Sequence, residues 1–303
     1  MKFFKQALFT GALIMMFSAS QAQQSTSFTQ YHDNQIPFNS AYSLLDKAGA
    51  VNLNSRKQWA GIEGAPYTLQ LNGSMPIEKI NGAAGLSLTY DKFNIEKLTE
   101  VSVFFAKAVQ LSDDNFFAAS FNAGFRNYIA SYSEVDPNDV SFRNDIRETV
   151  GTVGLGLMLY SPEKYYVGAS LPRLSFRSLG TASVDDKRNY SNTYYFSGAY
   201  LFKLNEDVKF KPATLVAYSR TYDTQADISA TVYLKDKFGF GVNYKTTDEI
   251  AGIISVILNN NLKFGYSYQT GFGSANIGKI SKGSHEISVG IRFGKKAAQA
   301  KLL

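Results

Sequence analysis

Leu262-Lys263-Phe264-Gly265-Tyr266-Ser267-Tyr268 decides the fold. Successive side chains of a strand point to opposite faces. Extended, this stretch sets Phe264, Tyr266 and Tyr268 on one face, and Lys263, Gly265 and Ser267 on the other. Tyr67–Asn72, Ala84–Tyr90, Val153–Leu157, Phe238–Tyr244 and Ile287–Phe293 repeat the pattern. Each has one apolar face and one face of small or polar residues. The composition agrees. Hydrophobic residues make up 45% of the 303, yet the mean hydropathy is slightly negative, so apolar and polar residues are interleaved.

About fourteen such segments follow from the alternation. They lie near 49–59, 66–75, 83–91, 97–108, 115–126, 148–160, 164–171, 192–203, 207–219, 226–235, 237–246, 249–258, 261–270 and 284–293. Ser161-Pro162-Glu163, Leu204-Asn205-Glu206, Asp236 and Asn259-Asn260 are tight connections after even-numbered segments. The long polar stretches 127–147, 172–191 and 271–283 follow odd-numbered ones. Short turns at one end and long loops at the other predict an all-β, transmembrane outer-membrane barrel of antiparallel strands, with periplasmic turns and longer extracellular loops. A soluble β-sandwich alternates in the same way. Three features weigh against it: Tyr and Phe gather at strand ends, the polar faces are rich in small residues as a lumen requires, and the last segment closes on the aromatic Phe293.

The organisation along the chain follows. Residues 1–22 read as a signal peptide: Lys2 and Lys5, the apolar run Leu8–Phe17, then Ser20-Gln21-Ala22. That run is too short for a membrane helix, which needs about 20 residues. Residues 23–48 do not alternate and are expected to form a periplasmic segment or a lumen plug, with a short helix near Ala41–Asp46. The barrel is expected over 49–293, and a basic periplasmic tail over 294–303. The chain has no cysteine, which excludes disulfides, thiolate chemistry and cysteine metal sites. Its net charge of +6 is scattered and gives no nucleic-acid footprint.

Three stretches carry more than fold. Phe28–Tyr42 (FTQYHDNQIPFNSAY), Arg56–Pro66 (RKQWAGIEGAP) and Gly283–Phe293 (GSHEISVGIRF) together resemble the PorP/SprF family, outer-membrane proteins of the type IX secretion system of Bacteroidetes. Asn39-Ser40-Ala41-Tyr42 departs from the Asn-Pro-Ala-Tyr usual there, and Tyr266-Ser267-Tyr268 from Tyr-Asp-Tyr. The resemblance implies a non-enzymatic component that helps to secrete, or anchor at the cell surface, a large protein through its C-terminal sorting domain. The cargo would be of adhesin or gliding type. Periplasmic ring or shuttle components of the system are further implied partners.

Arg56–Pro66 holds Trp59, the only tryptophan. If the first strand runs outward, Trp59 lies at the extracellular end of the first hairpin. Its ring either sits in the headgroup girdle, with Gly61, Gly64 and Pro66 shaping the turn, or belongs to a loop that folds inward, with Arg56 and Glu63 making polar contacts in the lumen or to a bound partner, and that organises the mouth. Tyr128, Tyr132, Phe142 and Phe176, in the long loops, are candidate partner contacts because aromatics are enriched at interfaces.

Little points to catalysis. Ser284-His285-Glu286 lies on a strand, where His285 faces away from Ser284 and Glu286, so base and nucleophile are separated. The two histidines, His32 and His285, are far apart in sequence, and no cofactor or metal site is expected. Glycines such as Gly151, Gly154 and Gly156 lie within one strand and lack the strand-to-helix context of a phosphate loop. The alternative function is a porin or hydrophobic-solute transporter, since fourteen strands enclose room for a solute path.

Overall fold

The computed structural model describes residues 28–134, 145–175, 192–259, 261–272, 281–294 and 302. The signal-peptide expectation, Phe142 and Phe176 lie outside them. The strands are β1 Gly49–Lys57, β2 Tyr67–Ile77, β3 Gly82–Phe93, β4 Glu96–Gln110, β5 Phe116–Ala130, β6 Ile146–Ser161, β7 Tyr165–Ser175, β8 Thr193–Tyr200, β9 Phe202–Lys203, β10 Val208–Ser219, β11 Gln225–Leu234, β12 Phe238–Lys245, β13 Glu249–Leu258, β14 Leu262–Gly271 and β15 Ser284–Phe293. All pairing is antiparallel, and β9 only continues β8 along β10. The result is a closed fourteen-strand barrel. The seam joins the first and last strands, with Gly49 opposite Phe293 and Lys57 opposite His285. Closure leaves no strand edge unpaired, which a lipid solvent requires.

Period-two alternation sorts the side chains between two environments. Asn52, Asn54, Arg56, Gln70, Asn72 and Ser74 point inward and are half-buried or buried. Leu53, Val103, Phe121, Leu155, Val242 and Ile287 point outward and are exposed. An exposed apolar belt over a polar interior is the inverse of a soluble domain, and it places the chain across a bilayer. Aromatic side chains close the belt at both ends. On the short-turn side Tyr200 sits 4.4 Å from Phe202 and 6.4 Å from Tyr165. On the long-loop side Tyr194 pairs with Tyr218 at 6.2 Å and Tyr244 with Phe272 at 6.1 Å.

Two strands outrun their sequence pattern. β5 continues to Ala130 and β7 to Ser175. The alternation fades there, but β5 has long partners on both sides and its ladder bonds hold the backbone extended. Between Val153 and Leu155 the β6–β7 register shifts by a bulge.

Phe28–Leu45 does not join the sheet. It forms two short 3-10 turns, Tyr31–Asp33 and Ser40–Leu44, and is bonded to a side chain and to backbone carbonyls on opposite walls. Asn39 caps the second turn by accepting from the Ala41 N–H at 3.1 Å. The Tyr31 hydroxyl donates to the Ala213 carbonyl at 2.9 Å on β10, while the Asn39 amide donates to the Leu157 carbonyl at 3.0 Å on β6. The walls are cut to this segment. A Cβ at Gly156 would overlap the Asn39 side chain, and one at Gly265 would overlap that of Gln30.

Candidate functional site: interior segment, barrel seam and first extracellular hairpin

The three sequence stretches singled out above meet in space. Arg56 on β1 and Glu286 on β15 are direct register partners across the seam. Arg56 Nη1 lies 3.4 Å from Glu286 Oε2, and both side chains are 2% exposed. The Glu286 carboxylate also accepts the backbone N–H of Thr29 at 2.8 Å and of Gln30 at 2.9 Å. Arg56 donates to Thr29 Oγ1 and to Gln269 Oε1, each at 3.0 Å. The Ser288 hydroxyl completes the knot, donating to Gln30 Oε1 at 2.8 Å. Further hydrogen bonds to the two charges offset the desolvation cost of a buried ion pair. Here the interior segment supplies the donors that Glu286 needs.

Further along the segment, Asp33 is held by Lys263 at 2.6 Å and Lys211 at 3.4 Å, and accepts from the Tyr233 hydroxyl at 3.2 Å. Burial pushes the neighbouring His32 imidazole down to about 3, against the opposing pull of Asp33, and the positive charges of Lys211 and Lys263 push the same way. His32 is therefore neutral at pH 7, and the lysines alone balance Asp33. Near the periplasmic mouth Arg292 makes two bonds to Asp46, at 2.6 and 3.0 Å. Lys211 also donates to the carbonyl of Leu302 in the C-terminal tail. A cavity of about 100 Å³ lies among Asp33, Tyr42, Asp46, Lys263 and Arg292. On the extracellular side Glu100 bridges Arg126 and Arg173 beside a smaller cavity of about 30 Å³.

Just above the knot sits the hairpin 58–66. The Gln58 N–H bonds the Pro66 carbonyl at 2.9 Å and closes it. Gly61 and Gly64 take φ of 93° and 70°, backbone that only glycine adopts at no steric cost. Trp59 takes φ 46°, which strains a bulky residue. Its N–H lies 3.3 Å from Ser284 Oγ, and its ring meets Phe93 edge-on at 6.5 Å. Ala60 exchanges bonds with Gly283 and Lys282, and the Asn94 N–H bonds the Gly64 carbonyl. The hairpin is thus pinned between the β3–β4 turn and the loop that precedes β15. Glu63 is exposed and Pro66 is half-buried.

The remaining picks fare differently. Arg56 points into the barrel and makes its polar contacts there, as part of the knot. Tyr128 corrects the expectation of a loop aromatic: it lies within β5 and faces inward, because β5 stays paired beyond residue 126. Tyr132 lies just past β5 in a 3-10 turn and is half-buried. His285 faces outward, with Nδ1 2.8 Å from the Tyr266 hydroxyl, while Ser284 and Glu286 are buried inward. Thr29, Gln30, Asp33 and Glu286 lie within the stretches quoted for the family resemblance but were given no role of their own, and Gln269 and the Glu100 cluster were not singled out. For the Glu100 cluster and Lys211 the signal was a charge in the middle of an otherwise small inner face.

Residues 20–291 match the family model described as "Type IX secretion system membrane protein PorP/SprF". The chain belongs to the PorP/SprF family. It is therefore a membrane component of the type IX secretion system, and its barrel places it in the outer membrane. No curated protein matches it. Solved barrels share the fold at low identity. The CymD monoaromatic hydrocarbon channel has 11% identity and TM-score 0.53, over 89% of this chain and 94% of that one. The Ralstonia pickettii toluene transporter TbuX has 10% identity and TM-score 0.50, over 88% and 94%. A Pseudomonas aeruginosa FadL homologue has 10% identity and TM-score 0.50, over 86% and 94%. At such identities the likeness is one of fold alone.

Proposed function

We propose that this PorP/SprF-family barrel is a non-enzymatic anchor. It holds a large secreted surface protein, of adhesin or gliding type, by the C-terminal sorting domain of that protein. Phe28–Leu45 acts as its lumen plug, and the pinned hairpin 58–66 with Trp59 and Glu63 organises the extracellular mouth where the cargo docks. The supporting observation is the way the interior segment is held. It is bonded to both walls and to the closing seam. A solute path would have to displace those bonds, whereas a docking platform uses them for rigidity. The long-loop end then presents the cargo-facing surface.

Affinity purification of the tagged protein from native outer membranes in mild detergent tests the proposal. Recovery of a large secreted protein bound through its C-terminal region is the expected result. A lone barrel that conducts ions in planar bilayers, with residues 28–45 intact, would replace the anchor by a transporter.

A further inference from the structure

A row of cations crosses the outer surface at the extracellular rim of one half of the barrel. It can be traced strand by strand from the pairing. Arg147 on β6 faces Ile129 on β5, which faces Lys97 on β4. Lys97 faces Lys92 on β3, Lys92 faces Tyr67 on β2, and Tyr67 faces Lys57 on β1. The row ends at His285 and Tyr268 across the seam. These residues share the outward parity of Leu53, Leu86, Val103 and Leu155, all exposed on the apolar belt.

We propose that this row binds the phosphate groups of lipids in the outer leaflet of the outer membrane. Three observations carry it. The first is depth. Four positions down the strands from Lys57, Lys92 and Lys97 lie Leu53, Leu88 and Val101. At roughly 3.4 Å rise and about 40° tilt, the cations stand about 10 Å above the apolar edge, at headgroup level. The row between them is Ser55, Tyr90 and Thr99, a composition suited to the interface.

The second is charge. Lys92 and Lys97 are directly opposed, and like charges so placed repel unless an anion lies between them. Among the described residues the side chains of Lys57, Lys92 and Lys97 have no ion pair or hydrogen bond. Among the described residues the nearby carboxylates do not supply that anion. Asp145 is taken up by Ser133, whose N–H and hydroxyl donate at 3.1 and 2.9 Å, and it lies beside Arg147. Glu63 is exposed on the hairpin, and Glu96 and Glu148 follow the inward parity of β4 and β6.

The third is asymmetry. On the other half of the ring the outward strand ends are Tyr194, Tyr218, Tyr244 and Ile250, with Arg220 beyond them in a turn. Among the strand ends of the described residues the cation row runs along β1–β6, which fits an anionic ligand that binds one side, not general solubility. This goes beyond the anchoring role and does not depend on it.

Native mass spectrometry of the full chain in mild detergent, with bisphosphorylated lipid A and its dephosphorylated form, tests the proposal. The variant K57Q/K92Q/K97Q is compared with K164Q/K203Q/K235Q, which removes exposed lysines at the periplasmic rim. Heat-modifiable gel mobility reports folding. Bisphosphorylated lipid is expected to bind the native protein, and to bind the first variant on the order of 100-fold more weakly, at roughly fivefold per cation. The second variant should bind like the native protein, and binding should weaken as salt rises. Equal binding by both variants, or equal retention of the dephosphorylated lipid, would overturn it. So would loss of an acidic partner protein from the first variant with lipid binding unchanged. If the triple variant fails to fold, K92Q alone and the salt titration decide in the same way.

Discussion

Arg56 and Glu286 face each other across the strand pair that closes the barrel, 3.4 Å apart and shut off from water. The carboxylate takes its other hydrogen bonds from the N–H groups of Thr29 and Gln30. Barrel closure and docking of the interior segment therefore share one set of bonds.

Removing one partner of that pair should release the segment. Breaking a buried pair costs about 3–5 kcal/mol because the other charge is left uncompensated. Arg56→Met and Glu286→Gln should each expose residues 28–45 to limited proteolysis while the barrel keeps its heat-modifiable mobility. A segment as protected in Glu286→Gln as in the native chain would show that the knot does not hold it.

The glycine shelf on β6 offers a second test. Asn39 caps the Ser40–Leu44 turn and donates to Leu157, so it cannot swing aside without losing both bonds. Gly156→Val should therefore displace the segment around Asn39 and leave the strands paired. The chain has no cysteine, so Ser40→Cys gives a unique labelling site. Labelling should be slow in the otherwise native protein and at least tenfold faster with Gly156→Val added.

Acid should loosen the segment. The docked His32 resists protonation down to about 3, while the undocked imidazole protonates near its ordinary value of about 6.5. A lowered folded value means that the contribution is complete above about 6.5 and is lost as pH falls toward about 3. A spin label at Ser40→Cys should become mobile as pH is lowered through that window, with up to about tenfold per pH unit in the docking equilibrium. His32→Asn should flatten the profile. A profile unchanged by that substitution would remove His32 as its source.

Trp59 separates hairpin shape from hairpin surface. Trp59→Gly relieves the left-handed backbone strain but deletes the contact with Phe93. Barrel stability should change by no more than about 1 kcal/mol, because strain relief offsets the lost ring contact. Cargo display, read by antibody binding to intact cells, should fall for Trp59→Gly and for Glu63→Ala. Unchanged display in both would remove the hairpin from cargo docking.

The sequence by itself determined the barrel. Period-two alternation is local, since the backbone geometry sends neighbouring side chains to opposite faces whatever the rest of the chain does. Leu262–Tyr268 alone therefore fixed a strand with a lipid face and a lumen face, and the short and long connections fixed which end was which. The fates of Tyr128, Glu286 and Asp33 were not local. Tyr128 faces inward because its partners on β4 and β6 extend the ladder past the point where the alternation fades. Glu286 meets Thr29 only because the ring closes β15 onto β1 and the interior segment threads beneath that seam. Burial of these polar groups is favourable only when each finds its partner. Those partners lie more than 200 positions away, at Gln30 for Glu286 and at Lys263 for Asp33, so only the closed tertiary structure could name them.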